Sequence, residues 1–196
     1  PGVTRTLLSI DPATTTKTTS DPTGLAVVGW APVRKVERAE LDAAPSVRER
    51  RALTAAGKTG RCVVRKAWEV RLVGEDLRVH VLRTLGEFPE VRLIVVESNQ
   101  GGEHWHAILH DMQVKVVIVH NSAPKDVRAA DLLHHYQMGR VDHEERLPAV
   151  EEQMTGYPRV SHDDMIDAVG TGVFRFIPAA STPKPIKVGV KITEYV

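Results

Sequence analysis

The sequence has a single cysteine, few aromatic residues and no long hydrophobic run, and these shortages exclude several classes of protein. Cys62 cannot form an internal disulfide, which fits a reducing compartment such as the cytosol. It lies within a predicted strand, so we interpret it as a packing residue rather than a nucleophile. The three tryptophans and four methionines are scattered and indicate no cofactor site. No apolar stretch approaches the roughly 18 residues of a membrane-spanning helix, so we expect a soluble protein without a membrane partner.

The two ends of the chain also lack familiar signals. The first ten residues have neither the basic start nor the long apolar stretch of a signal peptide. Because the chain begins with Pro1 rather than methionine, we expect it to be a segment of a longer protein. Prolines after Ile177 predict a folded domain over residues 1–177 and a proline-containing tail over residues 178–196.

The composition is that of one globular domain with a local excess of positive charge. Of the 196 residues, 42% are hydrophobic and 26% are charged, which allows a buried core. The net charge is only +1, but residues 47–66 contain a single acid, Glu49. The same segment carries the basic residues Arg48, Arg50, Arg51, Lys58, Arg61, Arg65 and Lys66. Such a segment attracts a polyanion, although an ordinary solvated surface would show the same charges.

Apolar patterns predict a mixed α/β sheet. They indicate strands over residues 4–10, 24–30, 61–72, 91–97 and 114–119, and helices over residues 75–88, 101–112, 129–138, 147–154 and 162–174. The charged, alanine-rich segment 37–60 fits either a helix or a mobile insertion. The order of elements predicts three antiparallel leading strands and two parallel strands, flanked by α-helices.

Acidic residues stand at the ends of three predicted elements. Asp11 and Glu97 each follow an apolar strand, and α/β folds place their sites at the carboxyl edge of the sheet. Asp164 and Asp167 begin the last predicted helix and share one of its faces, because they are three positions apart. Hard divalent cations such as Mg²⁺ require several converging carboxylates. The pattern therefore predicts a metal-dependent enzyme that cleaves phosphodiester bonds.

The predicted site suits two ions that activate water and stabilise the leaving oxygen of a phosphate. Asp11 is the candidate bridging ligand, and Glu97 would hold one of the ions. The pair Asp164 and Asp167 would hold the other. For Asp163 or Asp164 taken alone, helix capping is the favoured explanation. The choice of ligand among Asp163, Asp164 and Asp167 stays open.

Three further patterns are weaker. Residues 56–59, Ala-Gly-Lys-Thr, match the end of a phosphate-binding loop, but Ala52 stands where that motif needs a glycine. His106 and His110 have a zinc-compatible spacing, but no glutamate stands at the metalloprotease position. His162, beside the acids, is a candidate to assist the reaction or contact phosphate.

The acidic stretches and their surroundings resemble the nuclease domain of the large terminase subunit of tailed bacteriophages, which has a ribonuclease H-like fold. The resemblance covers most of the chain, and its most specific part is Glu97 followed by Ser-Asn-Gln-Gly-Gly. It also includes residues 8–12 (LSIDP), 21–29 (DPTGLAVVG), 125–129 (KDVRA), 139–141 (GRV), 147–154 (LPAVEEQM) and 163–168 (DDMIDA).

The resemblance implies a Mg²⁺- or Mn²⁺-dependent endonuclease that cuts double-stranded concatemeric DNA during viral genome packaging, in the cytoplasm of the infected bacterial host. Asp11, Glu97 and an acid of the last stretch would be its metal ligands. The residues that we assign to DNA binding are Asn99, Gln100, Gly101, Gly102, Arg48, Arg51, Lys58 and Lys125. The expected partners are the ATPase domain of the same subunit, the portal and the small terminase subunit. No intact ATPase motif is present, so the chain corresponds to the nuclease half.

Two alternatives remain open. A Holliday-junction resolvase of the same fold would place acids at matching positions, although the Asn-Gln-Gly-Gly turn and the long charged insertion argue against it. A non-catalytic DNA-binding module on a degenerate nuclease fold is the other alternative. The full set of acids argues against that module, since clustered carboxylates without a metal would repel DNA.

Overall fold

The computed structural model describes residues 2–13, 22–98 and 102–179, without the side chains of residues 102–104. Its strands are β1 (Arg5–Asp11), β2 (Thr23–Ala31), β3 (Arg61–Val70), β4 (Val91–Glu97), β5 (Lys115–Val119) and β6 (Val141–His143). Its helices are α1 (Arg38–Ala43), α2 (Val47–Lys58), α3 (Gly74–Glu87), α4 (Gly102–Ile108), α5 (Lys125–Gln137), α6 (Pro148–Gly156) and α7 (Asp164–Phe174).

The six strands form one mixed sheet in the order β5-β4-β1-β2-β3-β6. Strand β1 pairs antiparallel with β2, which pairs antiparallel with β3. Strand β4 runs parallel to β1, and β5 runs parallel to β4. Because β1 and β4 are parallel neighbours, their carboxyl ends lie side by side at one edge of the sheet. Asp11 and Glu97 are the last residues of these two strands.

The core has two halves, one on each face of the sheet. On one face, Leu7 and Val95 pack with Val169 of α7 and with residues of α5 and α6. On the other face, Leu8 and Ile94 pack with residues of α3 and α4. Residues of β1 and β4 are therefore buried in both directions, which is why apolar residues follow one another in these strands instead of alternating with polar ones.

Helix α7 lies directly against the centre of the sheet. The hydroxyl of Ser9 donates a 2.6 Å hydrogen bond to the backbone carbonyl of Ala168. A Cβ atom at Gly24 would overlap the backbone carbonyl of Asp164, so only glycine allows β2 and the start of α7 to approach this closely. This contact brings the first turn of α7 to the edge where β1 ends.

The structure confirms the predicted mixed sheet with flanking helices and adds detail at three places. Segment 37–60 contains two helices, α1 and α2, and α2 buries Ala52, Ala55 and Ala56. Helix α5 begins at Lys125, four residues before the predicted start. Strand β6, which pairs parallel with β3, was not predicted, because three residues are too few to show a periodic pattern.

Parts of two predictions fall outside the described residues. These are Asn99, Gln100 and Gly101 of the predicted DNA-binding turn and residues 180–196 of the predicted tail. The boundary between domain and tail stays a prediction. Within the three described ranges, every helix is too short or too polar to cross a membrane.

Candidate metal centre and nucleic-acid interface

Four acidic side chains meet at the carboxyl edge of the sheet. Asp11 ends β1 and Glu97 ends the adjacent β4, while Asp164 and Asp167 occupy the first turn of α7. Glu97, Asp164 and Asp167 are only 4%, 9% and 7% exposed. Carboxylates are rarely buried this deeply without a compensating charge. Three separate elements, β1, β4 and α7, thus bring together the four acids that were predicted from the sequence.

The electrostatics of Asp11 show how closely the acids interact. The pKa of its carboxyl group is raised from 3.8 to about 8. Burial is the largest cause, followed by the negative charges of Asp167, Glu97 and Asp164, while Lys125 acts in the opposite direction. Burial also raises the pKa of Asp167, against the hydrogen bond from Lys125 and the charge of Arg128. The site therefore holds more negative charge than its surroundings compensate.

Two cations from the first turn of α5 reach into this acidic cluster. The Nζ of Lys125 lies 2.6 Å from Oδ1 of Asp163 and 2.6 Å from Oδ2 of Asp167. Arg128 donates through Nη1 to Oε2 of Glu97 at 2.9 Å, and its Nη2 lies 3.3 Å from Oδ1 of Asp167. Helix α5 thereby supplies part of the positive charge that this acidic cluster needs.

Glu97 has a second donor on the same oxygen. The hydroxyl of Thr171 lies one helical turn beyond Asp167 on α7 and donates to Oε2 of Glu97 at 2.8 Å. Sequence reasoning assigned no role to Thr171 or to Arg128. The signals were present in their spacing: Arg128 is three positions after Lys125 and Thr171 is four after Asp167, so each shares a helix face with a predicted site residue.

The donor set suits a hard divalent cation, since it consists of carboxylate oxygens. In the part of the chain that the structure describes, no three His, Cys, Asp or Glu side chains already stand at metal-coordinating spacing. Glu97 and Asp167 instead direct oxygens towards Arg128 and Lys125. A cation at this site would share these carboxylates with the two cations of α5.

The predicted DNA-binding residues separate into two groups. Lys125 lies within the acidic cluster, and Gly102 opens α4, which follows β4. Arg48 and Arg51 lie on α2, and Lys58 is its last residue. Arg51 donates to the backbone carbonyl of Gln137 at 3.1 Å. Gln137 ends α5, and Lys125 begins it, so about 18 Å of helix separates the two groups.

A cavity of about 550 Å³ lies beside α2 at this far end of α5. Its lining includes Arg48, Arg51, Tyr136, His143 and Glu151. Arg48 pairs with Asp142 of β6 at 2.7 Å. Gly139 allows α2 to approach the end of α5 closely, because a Cβ atom at this position would collide with the backbone nitrogen of Ala52. Arg51 and Arg48 are therefore held against α5 and β6, away from the acids.

Comparison of the sequence with protein-family models and with curated proteins finds no match. The fold does match solved structures. The large terminase nuclease from the thermophilic phage G20c, crystallised with bound zinc, is similar with a TM-score of 0.55 and 10% sequence identity, over 87% of this chain and 82% of that one. A second structure of the G20c nuclease gives a TM-score of 0.55 and 9% identity, over 88% and 82% of the two chains.

A third similar structure is the large terminase nuclease domain of bacteriophage SPP1, crystallised with bound manganese. Its TM-score is 0.50 at 11% identity, over 89% of this chain and 88% of that one. At such low identities the similarity establishes the fold but not the chemistry. The chain has the ribonuclease H-like fold of large terminase nuclease domains.

Proposed function

We propose that this chain is the nuclease part of a large terminase, an endonuclease that cuts double-stranded concatemeric viral DNA during genome packaging. The observation that carries the proposal is the meeting of Asp11, Glu97, Asp164 and Asp167 at one edge of a ribonuclease H-like sheet. Support comes from three structures of that fold that are large terminase nucleases. The nuclease with bound manganese also supports the use of a divalent metal.

In this proposal the four carboxylates hold two Mg²⁺ or Mn²⁺ ions. Bound there, the ions would supply a lowered pKa for an attacking water and charge stabilisation for the leaving oxygen of the phosphate. Asp11 is the proposed bridge, because its carboxyl group interacts electrostatically with Glu97, Asp164 and Asp167. Its pKa is raised first by burial and then by these three negative charges, and a bound divalent cation would compensate such charge.

The proposed substrate is a DNA duplex that contacts both groups of basic residues. Lys125 stands beside the acids, where the scissile phosphate would lie. Arg48 and Arg51 lie beside the far end of α5, about 18 Å of helix away, a distance that corresponds to about five base pairs of a duplex. We therefore propose that α2 binds the phosphate backbone away from the point of cleavage. Residues 99–102 are proposed as a further contact that receives a phosphate on backbone N–H groups.

By the same proposal, the chain works with the ATPase domain of its own subunit, the portal and the small terminase subunit, in the cytoplasm of an infected bacterium. These partners would deliver the duplex to the acidic edge.

Plasmid digestion tests the proposal. The parent chain should nick and linearise supercoiled plasmid with Mg²⁺ or Mn²⁺ and should be inactive in EDTA. Asp11→Asn and Glu97→Gln should lose at least about 100-fold in rate, because each removes a ligand charge at the site of chemistry. Glu152→Gln is the matched control, since Glu152 is exposed on α6, and it should cut like the parent.

The same assay separates the alternatives. Symmetric cutting of four-way junctions with linear duplex left intact would favour the resolvase. If the parent binds DNA as tightly as Asp11→Asn and neither cuts with Mn²⁺, the chain is a non-catalytic module. Full activity of both acid variants would refute the proposed site.

A further inference from the structure

Arg128 of α5 is a largely buried cation that joins two elements of the acidic site, β4 and α7. Its guanidinium group contacts Glu97 of β4 through Nη1 and Asp167 of α7 through Nη2, and it belongs to α5 itself. The side chain is only 14% exposed. A planar guanidinium fixes two carboxylates at defined angles, which a flexible ammonium cannot do. Arg128 therefore has the geometry of an orienting group rather than of a surface charge.

The hydrogen bonds that orient Glu97 fall on one oxygen. Arg128 and the Thr171 hydroxyl both donate to Oε2, at 2.9 and 2.8 Å. Two donors from different helices define the rotation of the carboxylate about its last bond, since moving it would break both at once. The other oxygen, Oε1, accepts from neither of these two donors, and it is the oxygen that would face a metal ion. Thr171 is 5% exposed, so water cannot easily replace its hydroxyl.

Asp167 is engaged differently from Glu97. Its Oδ1 faces Arg128 and its Oδ2 faces Lys125, so both oxygens are committed to cations of α5. This arrangement holds the guanidinium of Arg128 in place from the side opposite Glu97. In metal sites, groups that hold a ligand in this way are as important as the ligand, and their loss typically costs about 10- to 100-fold in metal affinity.

We propose that Arg128 is a positioning residue of the metal centre: together with Thr171 it fixes Glu97 for metal binding, and Asp167 anchors Arg128. The inference rests on the proposed metal-dependent nuclease and deepens it. Among the four proposed metal-binding acids, it gives Asp167 a second role, as the anchor of the residue that orients Glu97.

Mn²⁺ binding measured by isothermal titration calorimetry tests this role without relying on activity. Arg128→Gln should weaken Mn²⁺ binding about 10- to 100-fold. If Arg128 were only a counter-charge, the same change would strengthen binding, because the cluster would become more negative. Lys125→Gln removes a cation that does not contact Glu97 and should strengthen binding. Loss of Lys125 is thus expected to strengthen Mn²⁺ binding, whereas loss of Arg128, three positions further along α5, is expected to weaken it.

Two further variants separate positioning from folding. Thr171→Val keeps the shape of the side chain but removes one donor to Oε2, and it should also weaken Mn²⁺ binding. Arg128→Lys restores the charge without bridging two carboxylates, so it should recover only part of the affinity. Circular dichroism and thermal unfolding of each variant verify the fold. Arg83→Gln, an exposed arginine on α3, is the control for charge and should bind like the parent.

The outcomes distinguish this inference from the proposed function. If the parent itself does not bind Mn²⁺, the metal-dependent function fails. If the parent binds, Asp11→Asn does not, and both Arg128→Gln and Thr171→Val match the parent, only the positioning role is overturned. Tighter binding by Arg128→Gln would likewise overturn it.

Discussion

Replacing Asp11 by asparagine should stabilise the metal-free protein even though it destroys the proposed site. The Asp11 carboxyl group has its pKa raised from 3.8 to about 8 by burial and by three neighbouring acids. The folded protein therefore binds this proton more tightly than the unfolded chain does. Since the group must either stay protonated or carry a poorly compensated charge, the parent loses stability as the pH rises from about 4 to about 8. Asparagine has no such proton to lose.

The size of the effect follows from the pKa. Between 3.8 and neutral pH lie about three units, each worth about 1.4 kcal/mol, so the cost at pH 7 is at most about 4 kcal/mol. Relaxation of the side chains in a polarisable surrounding reduces this, and we expect a gain of about 1 to 3 kcal/mol for Asp11→Asn. For a chain of this size, that corresponds to about 2 to 10 °C in Tm.

Thermal unfolding in EDTA at a series of pH values measures the gain. The difference in Tm between Asp11→Asn and the parent should be near zero at pH 4, grow through neutral pH and level off above about pH 8. Adding Mg²⁺ should raise the Tm of the parent but not that of the variant. Glu152→Gln, which removes an exposed acid, should follow the parent throughout. A variant less stable than the parent at pH 8, or a difference that does not change with pH, would refute the reasoning.

Three other expectations concern the DNA surface, the packing of α7 and its hydrogen bond to β1. Arg51→Ala should weaken duplex binding and lower the slope of log affinity against log salt by about 1, measured by fluorescence anisotropy at several salt concentrations, while Arg83→Ala should change neither. An unchanged slope would remove α2 from the interface. Gly24→Ala should cost about 3 kcal/mol or more, measured by urea unfolding, because a Cβ atom overlaps the backbone of Asp164; Gly86→Ala, where the space is open, should be neutral or slightly stabilising. Equal stability of these two glycine variants would contradict the close approach. Ser9→Ala should cost about 1 kcal/mol through the lost bond to Ala168, and a cost near zero would indicate that the bond contributes nothing net.

The strands and the acids at their ends were predictable because burial on both faces leaves a direct trace in sequence. Residues 93–96 are apolar without interruption, residues 7–10 are interrupted only by Ser9, and each run stops at an acid. This pattern can be recognised without knowing which helices pack on the strands, since any sheet covered by helices on both sides imposes it. The placement of Asp164 and Asp167 on one helix face likewise followed from spacing alone.

The positions of the basic residues could not be predicted from the sequence in the same way. Whether Lys125 and Arg128 meet the acids depends on the packing of α5 against α7, which is decided by apolar residues elsewhere on both helices. The same limitation applies to Arg48 and Arg51. Their charge was evident, but their position at the far end of α5 depends on the close contact between Gly139 and Ala52. Charge in a sequence indicates attraction to a polyanion but does not indicate where the charge will lie.

The hydrogen bond from Ser9 to Ala168 spans 159 positions of the chain, and this has a consequence for the order of events on the ribosome. The two strands that carry Asp11 and Glu97 are synthesised well before α7, which supplies the remaining acids. At about 5 to 20 residues per second, roughly 10 to 30 seconds separate the emergence of Asp11 from that of Asp164. Under the proposed function, a nascent chain would therefore lack Asp164 and Asp167 until α7 has been synthesised, and a prematurely terminated chain without α7 would not cut DNA.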